Sequence, residues 1–135
     1  MKVAVSSAGE GKGSRLSPVF GRCPFFVIVD TESGEEKSVK NTAAGQMGGA
    51  GMTAGQLVGN EGANAVVTMA MGPRAFAVLG QLGIEVYEGK EGTVEENLEL
   101  LNKKMLRKMD EASGPLAPGA GGRPMGPGKQ RGGRA

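Results

Sequence analysis

Apolar residues fall along the chain in short bursts, and the period of each burst assigns an element. Lys2–Ser6 (KVAVS) carries apolar side chains on both faces of a strand, the pattern of a central position in a sheet. Glu10–Ser14 is polar and glycine-rich, hence loop. Pro24–Asp30 (PFFVIVD) is a continuous β-branched and aromatic run and reads as a second buried strand. Thr31-Glu32-Ser33-Gly34 is a turn, and the more polar Glu35–Lys40 returns antiparallel as an edge strand. The N-terminal third is therefore a β-meander.

From Asn41 the pattern alternates. Asn41–Gly51 is glycine-rich loop, and Met52–Gly62 reads as a helix with Gly62 near its C-cap. Gly51, Gly55 and Gly59 share one face of that helix. Each costs ~1 kcal/mol of helix propensity relative to Ala, so close packing on the sheet, or a ligand approaching the backbone, should offset them. Ala65–Met71 (AVVTMAM) is a buried strand, and Pro73 suits the first position of a helix running to about Leu82. Gly83 closes the helix, and Ile84–Tyr87 completes a βαβ unit with parallel strands. Thr93 and Glu96 form a capping box. Val94, Leu98, Leu101 and Met105 then make one apolar stripe of a last helix, supported by the pair Glu99–Lys103. The order β-β-β-α-β-α-β-α predicts a ribonuclease-H-like α/β fold. Its mixed sheet has about five strands, three antiparallel and then parallel, with about three helices. That architecture hosts nucleases, kinase-like ATPases and non-enzymatic binding proteins, so function rests on the site.

Composition divides the chain at about 106. Residues 107–135 hold 8 of the 25 glycines and 4 of the 7 prolines, and beyond Met109 only Leu116 and Met125 are large and apolar. Such a segment cannot bury enough surface to offset its ordering entropy. The expected organisation is one domain over 1–106, followed by the end of the last helix and a disordered Gly/Pro-rich basic tail over 107–135. The net charge of +2 belongs to that tail, where Arg107, Lys108, Arg123, Lys129, Arg131 and Arg134 face only Asp110 and Glu111. The domain itself is slightly acidic and does not read as a nucleic-acid binder. Five aromatic residues, none of them Trp, leave little for base stacking. Met1–Val5 is too short an apolar start for a signal segment, and Ala63–Met71 is too short to span a bilayer. A cytoplasmic protein is expected, which suits one free thiol.

Several chemistries drop out. The chain has no histidine, which excludes Ser-His-Asp and Cys-His catalysis and His-containing zinc sites. One cysteine excludes an intrachain disulfide and a cluster held by four thiolates of one chain. Two-metal phosphoryl chemistry needs carboxylates converging on the strands, and Lys2–Ser6 has none. Gly9-Glu10-Gly11-Lys12-Gly13-Ser14 lacks the phosphate-loop spacing, because Gly13 follows Lys12 and no helical pattern opens after it.

What remains lies at strand ends. Gly72-Pro73-Arg74 sets helix N-terminal N–H donors and a guanidinium just after a strand, an arrangement that favours an anion. Gly92-Thr93-Val94 opens a second helix after the next parallel strand. Arg22 and Cys23 precede a strand antiparallel to the first, so they belong at the sheet edge where the parallel strands end. Arg22, Cys23, Arg74 and the Gly45–Met52 loop can thus converge. The bland alternative pairs Arg22 with a carboxylate and makes Gly72-Pro73 merely a capped turn.

Leu16-Ser17-Pro18-Val19-Phe20-Gly21-Arg22-Cys23-Pro24-Phe25-Phe26 resembles the L-S-x-x-F-G-R-x-x-x-F signature of the dinitrogenase iron–molybdenum cofactor biosynthesis family. The likeness continues through Val29-Asp30, Asn41, Ala54-Gly55-Gln56-Leu57, Met71–Ala75, Leu82–Tyr87 and Gly92–Glu96, covering about 1–106. It implies a ribonuclease-H-like domain that is not an enzyme. Such a domain would bind or carry an anionic iron–sulfur or iron–molybdenum–sulfur cluster or its precursor. The implied partner is a cluster-biosynthesis or cluster-accepting protein. Together with the strand-end reading, the expected site residues are Arg22, Cys23, Gly72, Pro73, Arg74 and Thr93, with Cys23 as the candidate metal ligand. Cluster-carrying relatives typically have histidines at places that here read Val19 and Asn41–Met52, which leaves Cys23, Met47 and Met52 as the soft donors. A phosphorylated small-molecule sensor, or a scaffold that has lost its ligands, are the alternatives.

Deleting 112–135 is expected to leave a cooperative thermal transition whose midpoint stays within a few degrees of the full chain's, because a segment without packing contributes little to stability.

Overall fold

The structure, a computed structural model, describes residues 1–112, and the expected tail over 112–135 lies almost wholly outside them. Six strands form one mixed sheet: β1 (Lys2–Ser7), β2 (Phe25–Asp30), β3 (Glu36–Lys40), β4 (Ala65–Thr68), β5 (Glu85–Glu88) and β6 (Arg107–Lys108). Their order is β3-β2-β1-β4-β5-β6. The meander β1-β2-β3 is antiparallel, while β4 and β5 run parallel to β1. Three helices join them: α1 (Ala50–Asn60), α2 (Pro73–Gln81) and α3 (Val94–Asn102). The ribonuclease-H-like α/β expectation holds at this level.

Alternation along the strands divides the core into two layers. Ala4, Phe26, Ile28, Val66 and Val86 face α1 and α2 and join Ala54, Val58, Ala75 and Leu79. Val3, Val5, Val27, Val29 and Val67 point to the other face and join Leu16 and Val94 beneath α3. Continuous apolar runs, not alternating ones, are what a sheet covered on both faces requires.

Four expectations change. The glycine face of α1 packs helix on helix, not helix on sheet. A Cβ on Gly55 would stand 3.1 Å from Val78 Cγ1, and one on Gly59 2.9 Å from Leu82 Cδ1. Helix α1 also begins at Ala50, two residues before the expected start. The apolar stripe read through Met105 is cut short as well. Helix α3 ends at Asn102, Lys104 turns with φ 60°, and Met105 is exposed while Leu106 is buried. Residues 107–108 are therefore not a helix end but a sixth strand antiparallel to β5. In place of one more turn of helix the chain pairs with the free edge of β5 and buries Met109 in the α1–α2 layer, while the exposed ion pairs Arg107–Glu88 (3.1 Å) and Lys108–Glu85 (3.4 Å) accompany the pairing. No helix among the described residues is long and apolar enough to cross a membrane.

Two glycine substitutions should act in opposite directions in chemical denaturation. Gly80→Ala in α2, where nothing stands within 4 Å of the new Cβ, should stabilise by about 0.5–1 kcal/mol. Gly21→Ala would place a Cβ 2.9 Å from the backbone of Gly51 and should destabilise by about 1–3 kcal/mol. A Gly21→Ala protein as stable as the parent would contradict the packing described.

Candidate functional site

The segment Leu16–Phe20 crosses the ends of β1 and β4 and is pinned there. Ser17 N donates to Ser6 O (2.9 Å) and Phe20 N to Ala70 O (3.0 Å). The buried Ser6 hydroxyl donates to Ser17 O (2.7 Å) and lies 3.0 Å from the Thr68 hydroxyl. Phe20 then enters the core against Phe26, ring centres 5.2 Å apart, and starts a single 3-10 turn, Phe20–Arg22. That turn carries Gly21 onto the start of α1, where backbone meets backbone without an intervening side chain. Gly51 in turn abuts Ala75 of α2, whose Cβ would lie 3.0 Å from a Cβ at 51. Three small residues thus draw the 3-10 turn and two helix N-termini together.

A groove of about 340 Å³ opens at this junction. Arg22, Gly49–Met52 and Gly72–Ala75 line it, so the structure brings Arg22 together with Gly72, Pro73 and Arg74. Neither helix has a side-chain cap. Pro73 has no N–H, so α2 offers those of Arg74 and Ala75, and α1 offers those of Ala50, Gly51 and Met52. No partner takes any of these five donors among the described residues. No lining residue carries a carboxylate, and neither arginine has an ion-pair partner among the described residues. Arg22 instead donates from Nη1 to Ala44 O (3.0 Å) and Gln46 O (2.6 Å). The alternative of an Arg22–carboxylate pair and a capped turn at Gly72-Pro73 therefore fails. The groove combines two positive helix ends with two guanidiniums, and its chemistry is that of anion binding.

The sequence reading brings the Gly45–Met52 segment to this edge as a loop; the structure makes its last residues, from Ala50, the N-terminus of α1, which the spacing Gly51-Gly55-Gly59 could have signalled. The sequence reading also gives Asn41 no part in the site. The Asn41 side chain donates to Gly21 O (3.2 Å) and Cys23 O (2.8 Å) and accepts from Ala43 N (3.1 Å), fixing the 3-10 turn to the following loop.

Thr93 does not join the groove. It caps α3, on the opposite face of the sheet, and its hydroxyl already accepts from Glu96 N. The first α3 donors are also used, Val94 N by Ser14 O (2.8 Å) and Glu95 N by Lys12 O (2.9 Å). Cys23 is near the groove in sequence but packed away from it, with no exposed surface. Its thiol donates to Phe20 O (3.2 Å). Burial pushes it up from 9.0 to about 12, against the lowering effect of hydrogen bonds from the Ser7 backbone and Asn41. The structure thus places the Cys23 thiol in the core and not on the groove lining where Arg22 and Arg74 stand. Met52 remains as a half-exposed soft side chain at the groove, while Met47 is fully exposed on the preceding loop. Among the described residues no three Cys, Asp or Glu gather as a metal site. Among the described residues the groove lining thus offers N–H groups and guanidiniums, with the Met52 thioether beside them.

A larger hollow of about 440 Å³ lies beside α3. Its lining mixes Asp30, Glu95 and Glu99 with Lys12 and Lys104, so it has no preference for an anion.

Residues 1–104 match the family model described as dinitrogenase iron–molybdenum cofactor. An uncharacterized protein of Methanocaldococcus jannaschii is 41% identical over 100 residues, which are 72% of this chain and 85% of the relative. The apo form of the orange protein from Desulfovibrio gigas superposes with a TM-score of 0.81 at 30% identity, over 84% of this chain and 96% of that one. A Thermotoga protein assigned provisionally to NifB superposes with a TM-score of 0.75, also at 30% identity, over 84% and 97%.

The buried thiol makes a measurable prediction. Cys23 should resist alkylation in the native protein and react on unfolding. Because its folded pKa is raised, the unfolded chain loses the proton first, and stability should fall as pH rises from about 9 towards 12. The slope from this one group approaches ~1.4 kcal/mol per pH unit within that window. Denaturation of the parent and Cys23→Ala at stepped pH isolates it, since every other group is common to both proteins. Equal pH profiles would contradict the burial.

Proposed function

The chain belongs to the dinitrogenase iron–molybdenum cofactor family, and from that premise we propose that it binds an anionic metal–sulfur cluster, or a precursor of one, and catalyses no reaction on it. The cluster is cargo. It rests in the groove between the N-termini of α1 and α2, and a cluster-biosynthesis or cluster-accepting protein delivers or receives it. The observation that carries this reading is that two uncapped helix ends and two arginines without ion-pair partners line one groove that holds no carboxylate.

Each part has a defined role. Arg74 stands in the first turn of α2 and supplies full charge beside the free N–H groups of Arg74 and Ala75. Arg22 supplies the second guanidinium from the facing 3-10 turn. Helix ends add a fixed partial charge, typically 0.3–1 kcal/mol per favourable anion contact. Sulfido and oxo groups on a cluster accept hydrogen bonds, so amides and guanidiniums can hold it with no metal–protein bond. Release then needs no ligand exchange, which suits a carrier. The charge is solvent-facing, so binding is screened over a Debye length of about 8 Å at physiological salt.

Anaerobic reconstitution with iron, sulfide and molybdate, followed by gel filtration, absorption spectra and metal analysis, tests the reading. Molybdenum or iron should co-elute with the protein and be lost progressively as salt is raised. Arg74→Ala should weaken retention by about 5-fold or more, and Arg74→Lys should also weaken it, because an ammonium cannot reproduce bidentate contacts. Protein that elutes free of both metals at low salt would refute the proposal. Thermal stabilisation by a phosphate ester in the same protein would then assign the groove to phosphorylated small molecules.

A further inference from the structure

Arg22 does two things at once, and the division of its donors is specific. Both N–H groups of Nη1 are engaged, by Ala44 O (3.0 Å) and Gln46 O (2.6 Å). The side edge of the guanidinium, Nε with one N–H of Nη2, has no partner among the described residues. That edge is the one used for bidentate contact with an anion. Arg22 also lines the groove.

The residues on the other end of this latch are otherwise loosely held. Gly45–Gly48 are exposed and Met47 wholly so. Within the loop, Gln46 N donates to Ala43 O (2.9 Å), Ala44 N to Asn41 O (3.2 Å) and the Gln46 amide to Gly48 O (3.0 Å). Among the described residues, the hydrogen bonds that tie Ala44–Gly48 to anything beyond the adjoining Asn41–Ala43 and Gly49 are those two from Arg22. The same loop runs directly into Gly49–Met52, the α1 wall of the groove. One side chain therefore joins the loop to the place where an anion would sit.

We infer that Arg22 couples occupancy of the groove to the order of the Ala44–Gly48 loop, so that a loaded protein presents a different loop surface from an empty one. This rests on the anion reading of the groove. An anion on the Nε/Nη2 edge fixes the guanidinium plane and thereby holds both carbonyl acceptors of the loop. By thermodynamic reciprocity, an ordered loop also raises anion affinity. A protein that takes cargo from one partner and hands it to another needs such a distinction. Met47 and its neighbours are the surface on which a partner would read it. In this device Arg22 acts as a positioning residue.

Hydrogen exchange of the full chain, with and without saturating tetrathiomolybdate under anaerobic conditions, tests the coupling. Amides in 44–48 should exchange about 5-fold more slowly or slower in the loaded protein, the low end of coupling between two sites. Arg74→Ala should need more anion to saturate but show the same slowing once saturated. Arg22→Lys keeps the charge and loses the fork, so at saturation its loop exchange should no longer respond to the anion. A merely structural Arg22 would change exchange in the empty protein while leaving the response intact. Saturation of the parent without slowing at 44–48 would overturn the coupling and leave the groove's role standing. A slowing retained in Arg22→Lys would overturn the part given to Arg22. No binding of tetrathiomolybdate to the parent would overturn both the coupling and the anion reading.

Discussion

Everything at the candidate site depends on a backbone contact that only glycine permits. Gly21 sits against the backbone of Gly51, and Gly51 against the Cβ of Ala75. A Cβ at 21 would meet the Gly51 backbone at 2.9 Å and one at 51 the Ala75 Cβ at 3.0 Å, so a side chain at either position would push these elements apart. The consequence is electrostatic as well as steric. Two helix ends of the same polarity are brought side by side, and the chain adds two guanidiniums without a carboxylate to balance them. Left alone this raises the energy of the folded state, since like charges and like dipole ends repel. The two-layered core supplies the stability that allows the arrangement to persist, and a bound anion would relieve it.

The two faces of the sheet are used differently. On the face of α1 and α2, helix N-termini are left open. On the other, the α3 N-terminus is closed completely by the Thr93–Glu96 capping box and by the carbonyls of Lys12 and Ser14. The glycine-rich loop that superficially resembles a phosphate loop therefore contributes acceptors to a helix end, the opposite of what phosphate binding requires. Capping chemistry thus separates a structural helix end from an available one, even though α2 and α3 both start just beyond parallel strands.

Cys23 illustrates how little distance along the chain says about access. It follows Arg22 directly, yet the 3-10 turn sends Arg22 outward and Cys23 inward, where the thiol bonds to Phe20 O and lies under Asn41. Desolvation then holds it protonated. Without histidine or an accessible thiol, the described lining of the groove consists of charge, hydrogen-bond donors and the Met52 thioether.

Much of this was legible in the sequence. Apolar period and turn residues indicate the succession of strands and helices, the βαβ unit and the α3 capping box, because these are local consequences of neighbours along the chain. The placement of Arg22 with Arg74 also followed, since strand direction alone assigns both to one sheet edge. What the sequence could not give were facts that depend on residues far apart. The last helix ends at Asn102, not beyond Met105, because β5 offers an unpaired edge and two carboxylates to Arg107 and Lys108. Gly51–Gly59 face α2 instead of the sheet, which no helical period can state. Thr93 and Arg74 look equivalent in sequence and part company only because their helices lie on opposite faces. Local periodicity fixes which elements form. Which backbone groups stay unpaired is decided by how distant segments pack, and at this site those unpaired groups are the chemistry.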